Sequence, residues 1–123
     1  MNDAVVSEFL RERLHDRRFR VVDNAHGLSN GETVFHYRVS ETGIAGSYQG
    51  GHIANGQVVG RALGASNIEL LYHCLTTDGD LLAGWSKGTV GVDPQGRTTL
   101  SFIWGWLAGA DGGGESHYVE ITD

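Results

Sequence analysis

The sequence predicts an all-β fold, an eight-stranded antiparallel up-and-down barrel with a short N-terminal α-helix. Three observations predict it. Eight short segments with β-type patterning run almost without interruption from Arg18 to the C-terminus. The chain holds 19 glycines and one proline, and glycine stands at nearly every boundary between segments, as hairpin turns require. No helical stretch separates consecutive segments, so they are joined as a meander and not by crossovers. An open sheet of eight strands would expose two long edges, and closure removes them. Glycines inside the strands (Gly46, Gly60, Gly84, Gly88 and Gly105) permit the bends and bulges that a small barrel needs. Such a barrel has an interior that side chains fill, or that holds one small ligand.

Residues 3–16 read as the helix. Asp3 suits its N-cap, and Val6, Phe9, Leu10 and Leu14 recur at helical spacing to give one apolar stripe. The period then changes to two. Phe19–Asp23 is a first strand, and 24–30, with Gly27 and two asparagines, is a loop. Glu32–Val39 is a second strand, with Thr33, Phe35, Tyr37 and Val39 on one face and Glu32, Val34, His36 and Arg38 on the other. A turn at Ser40–Gly43 leads to Ile44–Tyr48. Next comes a short, kinked segment over His52–Ala62. Its Asn55-Gly56 step is a strong hairpin signal, so it reads either as one kinked strand or as two short strands. Asn67–Leu75 follows, then a turn at Thr77-Asp78-Gly79, where Asp-Gly accepts the positive φ required. Asp80–Val92, a turn at Pro94-Gln95-Gly96, and Arg97–Leu107 continue the pattern; the last is rich in Thr, Phe, Ile and Trp. A loop at Gly109–Gly114 precedes the closing strand Glu115–Ile121. The 123 residues form one domain, with the barrel over 18–121.

Tyr48, Gly50, Gly56 and Gly60 also match the spacing of a MORN repeat, a β-hairpin module, with Tyr72 following Tyr48 near that repeat's period. A repeat array needs several units. The second unit lacks its glycine, where Cys74 stands, and no third copy follows.

Composition excludes several classes. The formal net charge is −6, which argues against non-specific nucleic-acid binding, since phosphates demand a basic face. Arg11, Arg13, Arg17, Arg18 and Arg20 nevertheless form a basic cluster, either a solvated helix face or a docking patch for an anionic partner. Cys74 is the single cysteine, so no internal disulfide forms, which fits a reducing, cytoplasmic setting. The N-terminus lacks the pattern of a secretory signal, and no stretch approaches a membrane span, so no membrane association is expected.

Candidate chemistry sits on the strands. Trp104 and Trp106 point to one face with Phe102 and Leu100, and Trp85 lies on the neighbouring segment. These are either core residues or the wall of an aromatic pocket. His36 and His73 occupy mid-strand positions. Glu32 and Glu69 each stand four residues before one of them, about 13 Å away along a strand, too far to pair directly. The histidines are structural, or they form a polar anchor or an acid–base pair inside the barrel, with Glu32 or Glu120 as a cross-strand partner. No His-x-His and no interleaved carboxylate is present, so neither metal nor other cofactor is expected. Gly84-Trp85-Ser86-Lys87-Gly88 fits G-x-S-x-G, but it lies between β segments, where no nucleophile elbow forms.

Together, Gly31–Tyr37, Tyr48–Ile53 with Gly56 and Gly60, Tyr72-His73 with Asp78-Gly79, Arg97 with Leu100, Trp104 and Trp106, and Gly114–Ser116 with Glu120 resemble a family of small bacterial proteins. The resemblance spans residues 31–121. It implies an avidin-like or calycin-like β-barrel, and members of the family are commonly labelled N-acetylglutamate synthase. The family pattern carries a glutamate two positions before the first tryptophan, where this chain has Phe102, which implies a more apolar interior. At the residue level, an acetyl-CoA-dependent transferase of the common type needs a pyrophosphate loop opening a helix. The nearest match, Arg61–Ser66, ends on serine and is followed by a β-type run.

The function expected is small-molecule binding inside the barrel. Phe35, Tyr37, Tyr48, Trp85, Trp104 and Trp106 would supply the wall, and His36, His73 or Glu120 the polar anchors. The ligand expected is a small apolar or amphipathic molecule. An enzyme using the same interior, an isomerase, a cyclase or the N-acetylglutamate synthase of the family label, is the alternative. A filled barrel serving as an interaction module is another. A glycine-rich exposed edge also suits a homodimer.

Overall fold

The computed structural model describes residues 5–24 and 28–122. A helix α1 (Glu8–Leu14) precedes eight strands: β1 (Arg17–Asn24), β2 (Val34–Val39), β3 (Ile44–Gly50), β4 (Ile53–Ala62), β5 (Asn67–Thr76), β6 (Leu81–Val92), β7 (Thr98–Ala108) and β8 (Gly113–Glu120). Each strand pairs antiparallel with the next, and β8 pairs with β1 to close the barrel. Side-chain alternation follows from the pleat. On β5, Ile68, Leu70, Cys74 and Thr76 are buried while Asn67, Leu71, His73 and Leu75 are exposed. Phe19, Val21, Phe35, Tyr37, Ile44, Val58, Val90, Leu100 and Phe102 join the same inner core. Apolar residues dominate the inside, with Glu120 the buried carboxylate among the described residues. No described helix is long and apolar enough to cross a membrane.

The helix is shorter than the periodicity predicts. Ser7 is its N-cap, its Oγ accepting from the Leu10 N–H at 3.1 Å, and the predicted cap Asp3 lies outside the described residues. After Leu14 the backbone turns extended at His15, and Asp16 adopts a φ of 58° that swings the chain into β1. Leu10 and Leu14 are fully buried and Val6 nearly so, whereas Phe9 leaves the stripe and is exposed.

α1 closes one end of the barrel. The Val6 N–H donates to the Glu41 carbonyl, Ser7 Oγ to Ala65 O, and Arg13 to Gly96 O. Those three carbonyls belong to the β2–β3, β4–β5 and β6–β7 connections, so α1 and the two residues before it tie every one of those turns. Arg11 donates to Val39 O and Ser40 O. The arginine cluster is therefore not a free basic strip. Arg11, Arg13 and Arg17 serve the chain itself, and only Arg18 and Arg20 stand exposed.

Residues 53–62 form one continuous strand, and its kink is a register shift between Ile53 and Asn55. Asn55-Gly56 makes no hairpin. Gly56 faces Tyr48 across β3–β4, and the tyrosine ring lies on it. The MORN reading ends here too, since β3, β4 and β5 are consecutive staves of the barrel. Strand β8 starts at Gly113, earlier than its glycine-rich sequence suggests, because Gly113 can pass close to the Trp104 carbonyl.

Candidate ligand cavity

The cavity lies at the end of the barrel away from α1. Its side walls are aromatic. Phe35 stacks on Tyr48 with centroids 4.7 Å apart and meets Tyr118 edge-on at 5.1 Å. Tyr48 meets Tyr72 at 6.5 Å, Tyr72 meets Trp106 at 6.2 Å, and Trp106 meets Trp104 at 5.4 Å, all edge to face. These separations and angles are those that ring quadrupoles favour. Phe102, Leu70, Val58, Ile53, Leu28 and Tyr37 complete the apolar lining, and Asn24, Ser29, Ser86, Ser116 and Cys74 add polar atoms. Tyr72, Trp106, Tyr118 and Leu28 are only half-buried, so water reaches the cavity past them. About 50 Å³ inside the walls admits the centre of a water molecule, room for about three or four waters.

Glycines make space for this wall. Tyr37 faces Gly46, Tyr48 faces Gly56, Tyr72 faces Gly84, Phe102 faces Gly88 and Trp104 faces Gly114, each across a neighbouring strand. A Cβ on Gly56 would stand 2.5 Å from the Tyr48 ring, and one on Gly84 2.7 Å from Tyr72. The Tyr37, Tyr48, Tyr72 and Phe102 rings lie against the bare backbone of their glycines.

The predicted site residues divide. Phe35, Tyr37, Tyr48, Trp104 and Trp106 come together on the cavity wall. Trp85 does not join them. It is paired with Gly105 on the outer face, its indole lying over that glycine. His36 and His73 also point outward. His36 Nε2 meets Asp16 Oδ1 at 2.7 Å outside the barrel, and that hydrogen bond holds the Asp16 carboxyl below its ordinary pKa. His73 is exposed, and its carbonyl accepts from the Tyr48 hydroxyl at 3.3 Å. Glu120 is buried inside the barrel, but at the α1 end. It accepts from the Thr98 N–H at 2.9 Å and pairs with Arg17 at 2.5 Å. Burial alone would raise its pKa; the Thr98 N–H and Arg17 overcome this and hold it below the usual range. Thr98 Oγ1 in turn donates to the Arg13 carbonyl, so Glu120 braces the helix and does not reach the cavity.

Sequence reasoning passed over Tyr72, Tyr118, Ser86, Ser116 and Asn24 as site residues. The signal for Tyr72 was its parity with Leu70 and Cys74. Leu71 and Leu75, apolar on the opposite parity, hid it.

Two polar atoms of the lining are buried with no hydrogen-bond partner among the described residues, Trp104 Nε1 and Asn24 Oδ1. The Asn24 amide is oriented by its other end, Nδ2 donating to Ser29 O at 3.0 Å. The titratable groups of the lining hold their protons tightly. Burial raises the pKa of Tyr37, Tyr48, Tyr72 and Tyr118, and of the Cys74 thiol.

Residues 12–121 match the family model described as avidin-like protein. The chain belongs to the avidin-like protein family. Its closed eight-stranded meander is the avidin-like fold, with the aromatic cluster buried at the end that α1 leaves open. Comparison with curated proteins returned no match, and comparison with solved structures returned none either.

Proposed function

We propose that this avidin-like barrel binds a small, flat, largely apolar molecule in its cavity, and that the molecule carries a hydrogen-bond acceptor directed at Trp104. The observation that carries this reading is the buried Trp104 N–H, which has no partner among the described residues. A buried donor left without an acceptor costs about 1–3 kcal/mol. A ligand that supplies the acceptor recovers that energy, so the same group gives affinity and orientation. Asn24 Oδ1, near the rim, is a second point of recognition for a ligand N–H or O–H. The narrow space favours a planar end inserted between the rings, with the rest of the molecule at the mouth.

Binding is favoured over catalysis because the lining's tyrosines and Cys74 all have raised pKa values. Proton transfer near neutral pH works best with a group poised near that pH. The chain works as a single domain, and its single cysteine suits a cytoplasmic setting.

Native mass spectrometry of protein purified gently from its own host tests the reading. A bound mass lost on activation is expected, and Trp104→Phe, which removes the N–H, should lower its occupancy about tenfold. Wild-type protein free of any bound mass, or equal occupancy in the variant, would sink it.

A further inference from the structure

The two ends of the barrel differ in charge. Four connections border the cavity mouth, at 25–33, 51–52, 77–80 and 109–112. They carry Glu32, Asp78, Asp80 and Asp111, all exposed. Of the nine Lys and Arg in the chain, none falls in these connections. With histidine neutral, the mouth therefore bears a formal charge of −4, from one glutamate and three aspartates. Among the described residues these four carboxylates make no ion pair. The turns that hold three of them are tied down. The Asp80 N–H donates to Thr76 Oγ1 at 3.0 Å, and the Thr77 N–H donates to the His52 carbonyl of the next turn at 3.0 Å. Asp111 precedes Gly112, whose carbonyl accepts from the Trp106 N–H at 2.9 Å.

The cavity beneath this rim shows what its occupant must bring. Trp104, 6% exposed, has its indole N–H in the lining with no partner among the described residues, so the deep end lacks an acceptor. Near the rim the demand reverses. Asn24 Oδ1 is an acceptor without a donor among the described residues, because the other end of that amide is held by the Ser29 carbonyl. Tyr72, Trp106 and Tyr118 are half-buried there, and the faces of such rings attract a cation within about 6 Å. A walled cleft with charges of one sign at its opening concentrates ligands of the other sign and repels its own. We propose that the molecule bound here is an organic ammonium, its flat uncharged end presenting an acceptor to Trp104 and its N–H-bearing cationic group at the acidic mouth. This rests on the cavity reading above and adds the charge of the ligand and the direction in which it lies.

Three flat benzamides of one shape test it: 4-(aminomethyl)benzamide, a cation, 4-methylbenzamide, neutral, and 4-carboxybenzamide, an anion. Each offers the same amide carbonyl to Trp104, whose indole N–H resonance follows the titration. The cation should bind at least about fivefold tighter than the anion, with the neutral probe between them. Salt at 1 M, where the Debye length is about 3 Å, should shrink that preference. The combined variant Asp78→Asn, Asp80→Asn and Asp111→Asn should abolish most of it. Arg18→Gln, at the other end of the barrel, should leave it intact. An anion or neutral probe that binds as well as the cation overturns the proposal, as does a preference that the triple variant keeps. If none of the three binds, the molecule that native mass spectrometry finds on protein from its own host decides. A basic nitrogen in it supports the proposal. A bound molecule without one overturns the proposal and leaves the cavity reading standing. No bound mass and no probe binding would sink both.

Discussion

At the scale of single residues, the recurring unit is an aromatic ring lying on a glycine of the next strand. It follows that these glycines are space requirements as much as conformational ones. Gly56→Ala would drive a methyl group into the Tyr48 ring, and overpacking of this kind costs about 1–3 kcal/mol. Urea denaturation should show that loss, and an unchanged midpoint would count against the ring-on-glycine account. The in-strand glycines were legible in the sequence, but as bends and bulges; the rings they seat lie on other strands, and only the register brings the two together. Glu120 supports a second prediction. Its folded pKa is depressed, so the stability it contributes is present above the ordinary glutamate value of about 4.3. That contribution is lost as pH falls through the lower, folded value. The melting temperature of the wild type should therefore drop below about pH 4. Glu120→Gln, less stable at neutral pH, should show a shallower acid drop.

At the scale of elements, α1 contributes more than its seven residues suggest, because it joins three turns and fills the barrel end. Leu10→Ala should cost about 2–5 kcal/mol, as for other fully buried leucines. Ser7→Ala should cost about 1 kcal/mol for the cap alone, and more where the Ala65 tie is also lost. Thermal melts of the two variants check both figures, and a neutral Leu10→Ala would mean that the helix merely rests on the barrel. The strands themselves were legible in the sequence to within a few residues, since period-two patterning and glycine turns are local signals. The helix ends were less so. Its C-terminal stop depends on Asp16 entering the left-handed region, which no apolar period announces. The arginines were hardest to place: their partners are turn carbonyls and Glu120, all remote in sequence, so a run of cations looked like one surface feature.

At the scale of the whole molecule, closure was legible because eight meandering strands have no other way to remove their edges. Which side faces in was harder to read wherever both parities are apolar. Leu70 and Leu71 are neighbours, one in the core and one exposed on the outer face. The aromatic set was misread for the same reason, with Trp85 counted among the inner rings although Gly105 seats it outside. Closing β1 on β8 joins segments about a hundred residues apart (Phe19 with Glu120), and such non-local pairing slows folding. Refolding from denaturant should occupy milliseconds to seconds, and stopped-flow circular dichroism measures it; microsecond refolding would mean that closure is not rate-limiting. The three indoles have a spectroscopic consequence. Trp104 and Trp106 sit in contact within the barrel, while Trp85 lies on its exterior. Iodide should quench Trp85 emission first and spare Trp104. Near-ultraviolet circular dichroism, which senses coupled rings, should follow the inner pair, so occupancy of the cavity and contact at the outer face carry separate optical signatures in one unlabelled molecule.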